Sequence, residues 1–285
     1  MNQDEFTIWR QTPHEARCRS LIMGILNVTP NSFYDGGSYY DNLALACERA
    51  QDMIVQGVDI IDIGGESSKP GVEPVSLDEE LERVIPVIER IRALSDICIS
   101  IDTYKPEVMI AAVTAGATMI NDIYALATNE ALATAAKLDV PVCLMHMQGS
   151  PSNMQDAPHY AGDVVDEINY FFEQRITACL HAGMRREQFI LDPGFGFGKS
   201  AQHNIQIIKR FHELRQHQLP LLLGVSRKST IGIILGDMSA DRLLGGLALT
   251  APAVLQGACI MRTHDVAETK QTLSVLDVIN KGLSG

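Results

Sequence analysis

Basic residues are scarce in this chain: 23 Lys and Arg stand against 35 Asp and Glu, a formal net charge of −12. A general nucleic-acid binder carries a basic excess to meet phosphates, and a peripheral membrane protein carries a basic amphipathic face, so neither class is expected. Any anionic ligand must find a local basic pocket. Metal-type cysteine spacing is lacking as well. The six cysteines, at 18, 47, 98, 143, 179 and 259, form no CxxC pair and read as reduced, mostly buried thiols. The first twenty residues hold Asp4, Glu5, Arg10, His14, Glu15, Arg17 and Arg19 without an apolar targeting segment. No stretch approaches the roughly 18 consecutive apolar residues that a membrane span needs. A cytoplasmic protein is the expectation. No linker or low-complexity tract divides the 285 residues, which predicts one domain over residues 20–285 with residues 1–19 as a leading extension.

What the chain does have is alternation. Eight apolar, β-branched runs of strand length occur at Leu21–Val28, Asp59–Gly64, Ile97–Ile101, Thr118–Ile123, Pro141–Met147, Phe189–Asp192, Pro220–Val225 and Ala258–Arg262. Helical patterns follow them at Leu43–Gln56, Leu77–Leu94, Pro106–Ala115, Asn129–Leu138, Asp163–Ala182, Ala201–Gln216, Asp241–Gln256 and Val266–Lys281. Boundary signals agree: Pro106 opens a helix, Gly57, Gly116 and Gly183 stand just past helix ends, and Ser76 precedes Glu79 in a capping-box pattern. Eight βα units in about 260 residues predict a TIM (β/α)8 barrel of the α/β class, with a doubly wound open sheet as the rival.

In either architecture ligands bind beyond the carboxyl ends of the strands, so the residues that follow each strand are the informative ones. Thr29, Ser76, Ser200 and Asp241 read as turn formers or helix caps. Asp102, Asn121 and Asp192 differ, because they close apolar runs such as Ile99-Ser100-Ile101 and Phe189-Ile190-Leu191. A carboxylate or amide there needs a partner. Three such groups at one barrel mouth suit a planar heterocycle with several N–H donors, although an internal network could also satisfy them.

Lys69, Arg227, Lys228, Arg262 and His264 all follow strands in an otherwise acidic chain, which suggests a phosphate or pyrophosphate site. Arg227 alone reads as a solvated charge. Gly198-Lys199-Ser200 resembles the end of a Walker A loop, but Pro193 stands where that motif needs glycine. The glycines of this run read instead as close backbone approach to a ligand. His146 has no second histidine at zinc spacing and reads as pocket lining or core.

In their order, the runs Gly24-Ile25-Leu26-Asn27-Val28-Thr29-Pro30-Asn31-Ser32-Phe33, Gly64 to Gly71, Asp192 to Lys199 and Ser226-Arg227-Lys228-Ser229 resemble the dihydropteroate synthase family of pterin-binding folate enzymes, which sulfonamides inhibit. The resemblance covers roughly residues 20–282. It implies a barrel that condenses 6-hydroxymethyl-7,8-dihydropterin pyrophosphate with p-aminobenzoate, giving 7,8-dihydropteroate and pyrophosphate. It further implies pterin contacts from Asp102, Asn121, Asp192 and Lys228, and a pyrophosphate clamp of Arg262 and His264. Ser68 joins the substrate contacts, Asn27 holds Mg²⁺, and Phe33, Pro70 and Ser226 help to form the p-aminobenzoate pocket. A homodimer is implied too.

The chain departs from the family pattern in both of the first two loops. Ser67-Ser68-Lys69-Pro70-Gly71 stands where the family usually has Ser-Thr-Arg-Pro-Gly, and Asn31-Ser32-Phe33-Tyr34 where it usually has Asp-Ser-Phe-Ser. Lys69 keeps the charge but loses the bidentate fork of arginine. Two other functions share the pterin contacts. A methyltetrahydrofolate-dependent methyltransferase has no use for the pyrophosphate clamp, and a non-catalytic pterin binder would not need every chemical position filled.

Overall fold

The computed structural model describes residues 1–17, 19–29, 39–67, 73–150, 154 and 158–281. Its elements are α1 (Gln3–Gln11), β1 (Leu21–Asn27), α2 (Tyr39–Gln56), β2 (Ile60–Gly64), α3 (Leu77–Arg92), β3 (Cys98–Asp102), α4 (Pro106–Ala115), β4 (Met119–Asp122) and α5 (Asn129–Leu138). There follow β5 (Val142–Met145), α6 (Val164–His181), β6 (Phe189–Asp192), α7 (Ala201–Lys209), β7 (Leu222–Leu223), α8 (Ser229–Leu235), α9 (Leu243–Leu255), β8 (Ile260–Thr263) and α10 (Val266–Lys281).

Every strand pair is parallel, in the order β6-β5-β4-β3-β2-β1-β8-β7. A parallel bridge between Leu191 and Leu221 joins the two ends, so the sheet closes into the barrel that the alternation predicts. Both faces of each strand are covered, which is why the strands read as nearly continuous apolar runs. The outward set, including Ile61, Ile63, Ile99, Ile101, Leu144 and Leu191, packs against the helices in the main core. The inward set, Met23, Ile60, Cys98, Met119, Cys143, Ile190, Leu222 and Ile260, fills the lower barrel.

The leading segment contains a helix absent from the alternation pattern. Asn2 and Glu5 form a reciprocal capping box that starts α1. Phe6 and Trp9 on this helix, 1% and 4% exposed, join the inward cluster of the lower barrel, and the Trp9 indole N–H donates to the Arg19 carbonyl at 3.0 Å. Burying two such rings contributes roughly 1.5–3 kcal/mol each.

Boundaries also shift. The helix expected from Leu43 begins at Tyr39, and the one expected over Ala201–Gln216 ends as α-helix at Lys209 and continues as a 3₁₀ turn over Phe211–His217. The strand expected over Pro220–Val225 is regular only at Leu222–Leu223, beside a proline that cannot donate to a ladder. A seven-residue helix, α8, precedes the expected one and stops at Gly236. Ser76 and Ser200 cap α3 and α7 as expected, Ser200 with His203 in a full capping box. Asp241 accepts from the Leu243 N–H at 3.0 Å at the start of α9. Cys47, Cys98, Cys143, Cys179 and Cys259 are free and buried; Cys18 lies outside the described residues.

Candidate active site

Strand register builds the site. Asn27 pairs with Gly64, Gly64 with Asp102, and Asp102 with Asn121, so three residues singled out from the sequence stand in one row across β1 to β4 at the carboxyl ends. Side chains two apart share a face of a strand. One layer above the apolar plug the inward positions turn polar: Ile60 is followed by Asp62, Cys98 by Ser100, Met119 by Asn121, Ile190 by Asp192 and Ile260 by Arg262, with Asn27 and Asp102 a layer higher on β1 and β3. The floor of the mouth is polar and the layer beneath it is dry.

Arg262 is the hub of that floor. Its Nε donates to Asp62 Oδ2 and its Nη2 to Asp102 Oδ2, both at 2.6 Å, and the Asn121 amide nitrogen donates to the same Asp62 oxygen at 3.1 Å. Asp62 is fully buried. Burial pushes Asp102 up to about 7, against the pull of Arg262 and with the push of Asp62. Burial and Asp62 thus disfavour the Asp102 anion, and Arg262 is the cation that opposes them.

Asp192 is buried, and its Oδ1 accepts the Gly194 N–H at 2.7 Å. Burial raises its pKa, while that N–H and the nearby Lys228 lower it. The Lys228 ammonium stands 3.9 Å from the centre of the Phe197 ring, a cation–π geometry. No carboxylate among the described residues lies within ion-pair reach of it. Burial, then Arg262, pulls its pKa down to about 8. Ser226 bridges to the last loop: its Oγ lies 3.2 Å from His264 Nδ1, accepts the His264 backbone N–H and donates to Asp265 Oδ2. Burial, reinforced by Arg262, pulls His264 down to about 4, so its imidazole is neutral at pH 7. Arg227, with a side chain 59% exposed, pairs with Asp265 and behaves as the solvated charge that its sequence context suggests.

One reading changes. The glycines after β6 approach backbone of the same protein: a Cβ on Gly194 would stand 1.9 Å from the His146 carbonyl oxygen, and one on Gly198 2.3 Å from that of Gln148. Lys199 is 2% exposed and is no phosphate ligand; it donates to the carbonyls of His146 and Phe197 at 3.2 and 3.0 Å. His146 is buried against Phe171, a core position. Phe33, Ser68, Lys69 and Pro70 lie outside the described residues. Asp62 escapes the search at strand ends because it sits inside Ile60-Ile61-Asp62-Ile63. A carboxylate within an apolar run was the available signal, the same that marks Asp102.

The closed parallel barrel thus gathers Asp62, Asp102, Asn121, Asp192, Lys228 and Arg262 at its mouth, and an internal network of Arg262 and Asp62 satisfies part of Asp102 and Asn121. A family model described as pterin binding enzyme matches residues 23–264, and the chain belongs to that family. Its relatives place it among the dihydropteroate synthases. The Escherichia coli K12 enzyme of that name is 49% identical over 256 residues, 90% of each chain. The structure of Yersinia pestis dihydropteroate synthase with a sulfonamide drug is 47% identical, with a TM-score of 0.86 over 92% of this chain and 94% of that one. The Xanthomonas albilineans dihydropteroate synthase in complex with 7,8-dihydropteroate is 43% identical, with a TM-score of 0.83 over the same shares, 92% and 94%.

Proposed function

We propose that this barrel mouth condenses 6-hydroxymethyl-7,8-dihydropterin pyrophosphate with p-aminobenzoate, with the roles of individual residues as follows. The observation that carries it is the pinned row at the floor: Asp102 and Asn121 in register, with Arg262 held between Asp62 and Asp102. Asp192 uses the oxygen not engaged by Gly194 to accept from the amidine-like edge of the pterin, and Lys228 donates to its carbonyl or ring nitrogen. Arg262 and His264 face the pyrophosphate. As the methylene C–O bond breaks, negative charge leaves toward Arg262 and positive charge spreads over the pterin beside Asp102. The aniline nitrogen then bonds to the methylene carbon and loses a proton. No covalent enzyme intermediate is needed. Ser226, with Phe33 and Pro70, supplies the p-aminobenzoate side, Ser68 joins the substrate contacts, and Lys69 meets the pyrophosphate or the p-aminobenzoate carboxylate.

Mg²⁺ belongs to the same proposal. Among the described residues no group of three His, Cys, Asp or Glu could hold a metal alone, whereas Mg²⁺ on phosphate oxygens needs only one or two protein oxygens. Asn27 fits, since its Oδ1 lies 3.7 Å from the point where a Cβ on residue 64 would stand, and residue 64 is glycine. Bound there, the ion would neutralise charge on the leaving pyrophosphate. A homodimer is supported by exposed apolar side chains on the late helices, among them Ile233, Leu235, Leu244, Leu255, Val275 and Ile279. A cytoplasmic location is supported by the free, buried cysteines.

The methyltransferase reading shares Asp102, Asn121 and Asp192 but gives Arg262 and His264 no anion to hold. Calorimetric titration with the pterin pyrophosphate separates the two enzyme readings at the clamp: the wild type binds it, and Arg262→Lys weakens binding roughly 10- to 100-fold, the worth of a hydrogen bond to a charged group. Equal affinity in wild type and variant would overturn the assignment.

A further inference from the structure

Asp62 has no substrate contact assigned to it, yet two of the proposed contacts hang from a single oxygen of it: Arg262 Nε at 2.6 Å and Asn121 Nδ2 at 3.1 Å. It is 0% exposed, and its other oxygen, Oδ1, is buried without a hydrogen-bond partner among the described residues. A buried carboxylate with an unused oxygen is expensive, and nothing in the packing of β2 requires one. Apolar residues fill the layer below it.

We propose that Asp62 is the positioning residue that fixes the pyrophosphate clamp and the pterin amide in one arrangement, coupling leaving-group binding to pterin binding. This rests on the dihydropteroate synthase reading of the site. Its Oδ2 takes the Arg262 Nε–H, and Asp102 takes one Nη2–H; a guanidinium has five N–H donors, so its Nη1 edge is left for the leaving anion. The same Oδ2 takes one amide N–H of Asn121, which sets the amide so that its carbonyl oxygen and second N–H are left for the heterocycle. Arg262 then rotates about neither carboxylate without breaking the other contact. In the absence of Asp62 the guanidinium has one carboxylate partner instead of two, and Asn121 loses its orientation.

Asp62→Asn keeps shape and removes the charge. The expected result is a rise of about tenfold or more in the KM for the pterin pyrophosphate and a fall in kcat of up to about 100-fold, the scale set by misplacing catalytic groups by an ångström. The KM for p-aminobenzoate is expected to stay within about twofold of the wild type, the scatter of such comparisons. The acid limb of the pH profile should move to lower pH, since Asp62 is one of the charges that hold Asp102 up. A variant that is only less well folded would lower kcat alone, with neither KM nor the pH profile moving, and that result overturns the proposal. Cys98→Ala, in the apolar layer beneath the site on β3, is the control expected to loosen the barrel while leaving both KM values and the profile in place. Should Asp62→Asn not fold, Asp62→Ser reads the same split. Turnover by the wild type, run alongside, decides the reading of the site separately: a turning-over wild type with an indistinguishable Asp62→Asn sinks only the role of Asp62.

Discussion

The Lys199 ammonium nitrogen lies 2.9 Å from Nδ1 of His146, so a lysine in the loop after β6 is tied to a histidine at the end of β5. Both are buried, and burial pulls Lys199 down to about 7 from its ordinary 10.5 and His146 well below its own. Two cations cannot share this contact. The amine also ties the Phe197 carbonyl, and the Phe197 ring carries Lys228.

For Lys199 the sign of the pH dependence follows. Between pH 7 and 10.5 the unfolded chain binds a proton that the folded chain has released, so unfolding free energy rises with pH through that window. Denaturant midpoints of the wild type and Lys199→Met, compared near pH 6 and near pH 9, should show the wild type gaining on the variant at the higher pH. A gap that stays constant contradicts this.

Gly194 has a φ of +66°, and its added Cβ would collide with the His146 carbonyl. Gly194→Ala is expected to cost about 3 kcal/mol or more, the sum of left-handed strain and a backbone clash. Because the Gly194 N–H holds Asp192, pterin affinity should fall with stability. Thermal unfolding together with pterin titration checks both effects, and a variant as stable as the wild type refutes the clash.

His264 should titrate near 4 and not near 6.5. The unfolded chain binds its proton first, so this group's effect on stability is absent above about 6.5 and destabilises the fold progressively as pH drops toward 4. An NMR titration of the imidazole in the free enzyme reads the midpoint directly. A midpoint near 6.5 would mean that the imidazole is solvated and not packed beneath Ser226.

Lys69 replaces the arginine usual in its family. Lys69→Arg restores a bidentate donor and should lower the KM for the pterin pyrophosphate or for p-aminobenzoate, or change inhibition by a sulfonamide. Steady-state kinetics with both ligands unchanged would show that residue 69 meets neither.

Much of this architecture is legible before any coordinates. Parallel strands buried on both faces must be apolar throughout, which makes the runs around Ile61, Ile99 and Ile190 visible, and polar residues that end such runs, Asp102, Asn121 and Asp192, stand out against them. Asp62 is invisible to a search confined to strand ends, though it is the deepest charge in the site. The glycines after β6 mislead because close backbone approach suggests a ligand, while Gly194 and Gly198 pass the carbonyls of His146 and Gln148 in their own chain. Helix α1 hides because only Phe6 and Trp9 of its nine residues are buried, the rest being charged or polar or, like Ile8, exposed. Lys228 is readable as a cation after a strand, but its aromatic platform depends on a loop fold that no local spacing encodes.

The most direct measurement is pyrophosphate release by the purified protein given the pterin pyrophosphate, p-aminobenzoate and Mg²⁺. The expected result is one pyrophosphate per 7,8-dihydropteroate formed, and no release when p-aminobenzoate and Mg²⁺ are both withheld. Folded protein that binds the pterin pyrophosphate yet releases no pyrophosphate in the complete mixture would contradict the assignment of this barrel mouth to that condensation.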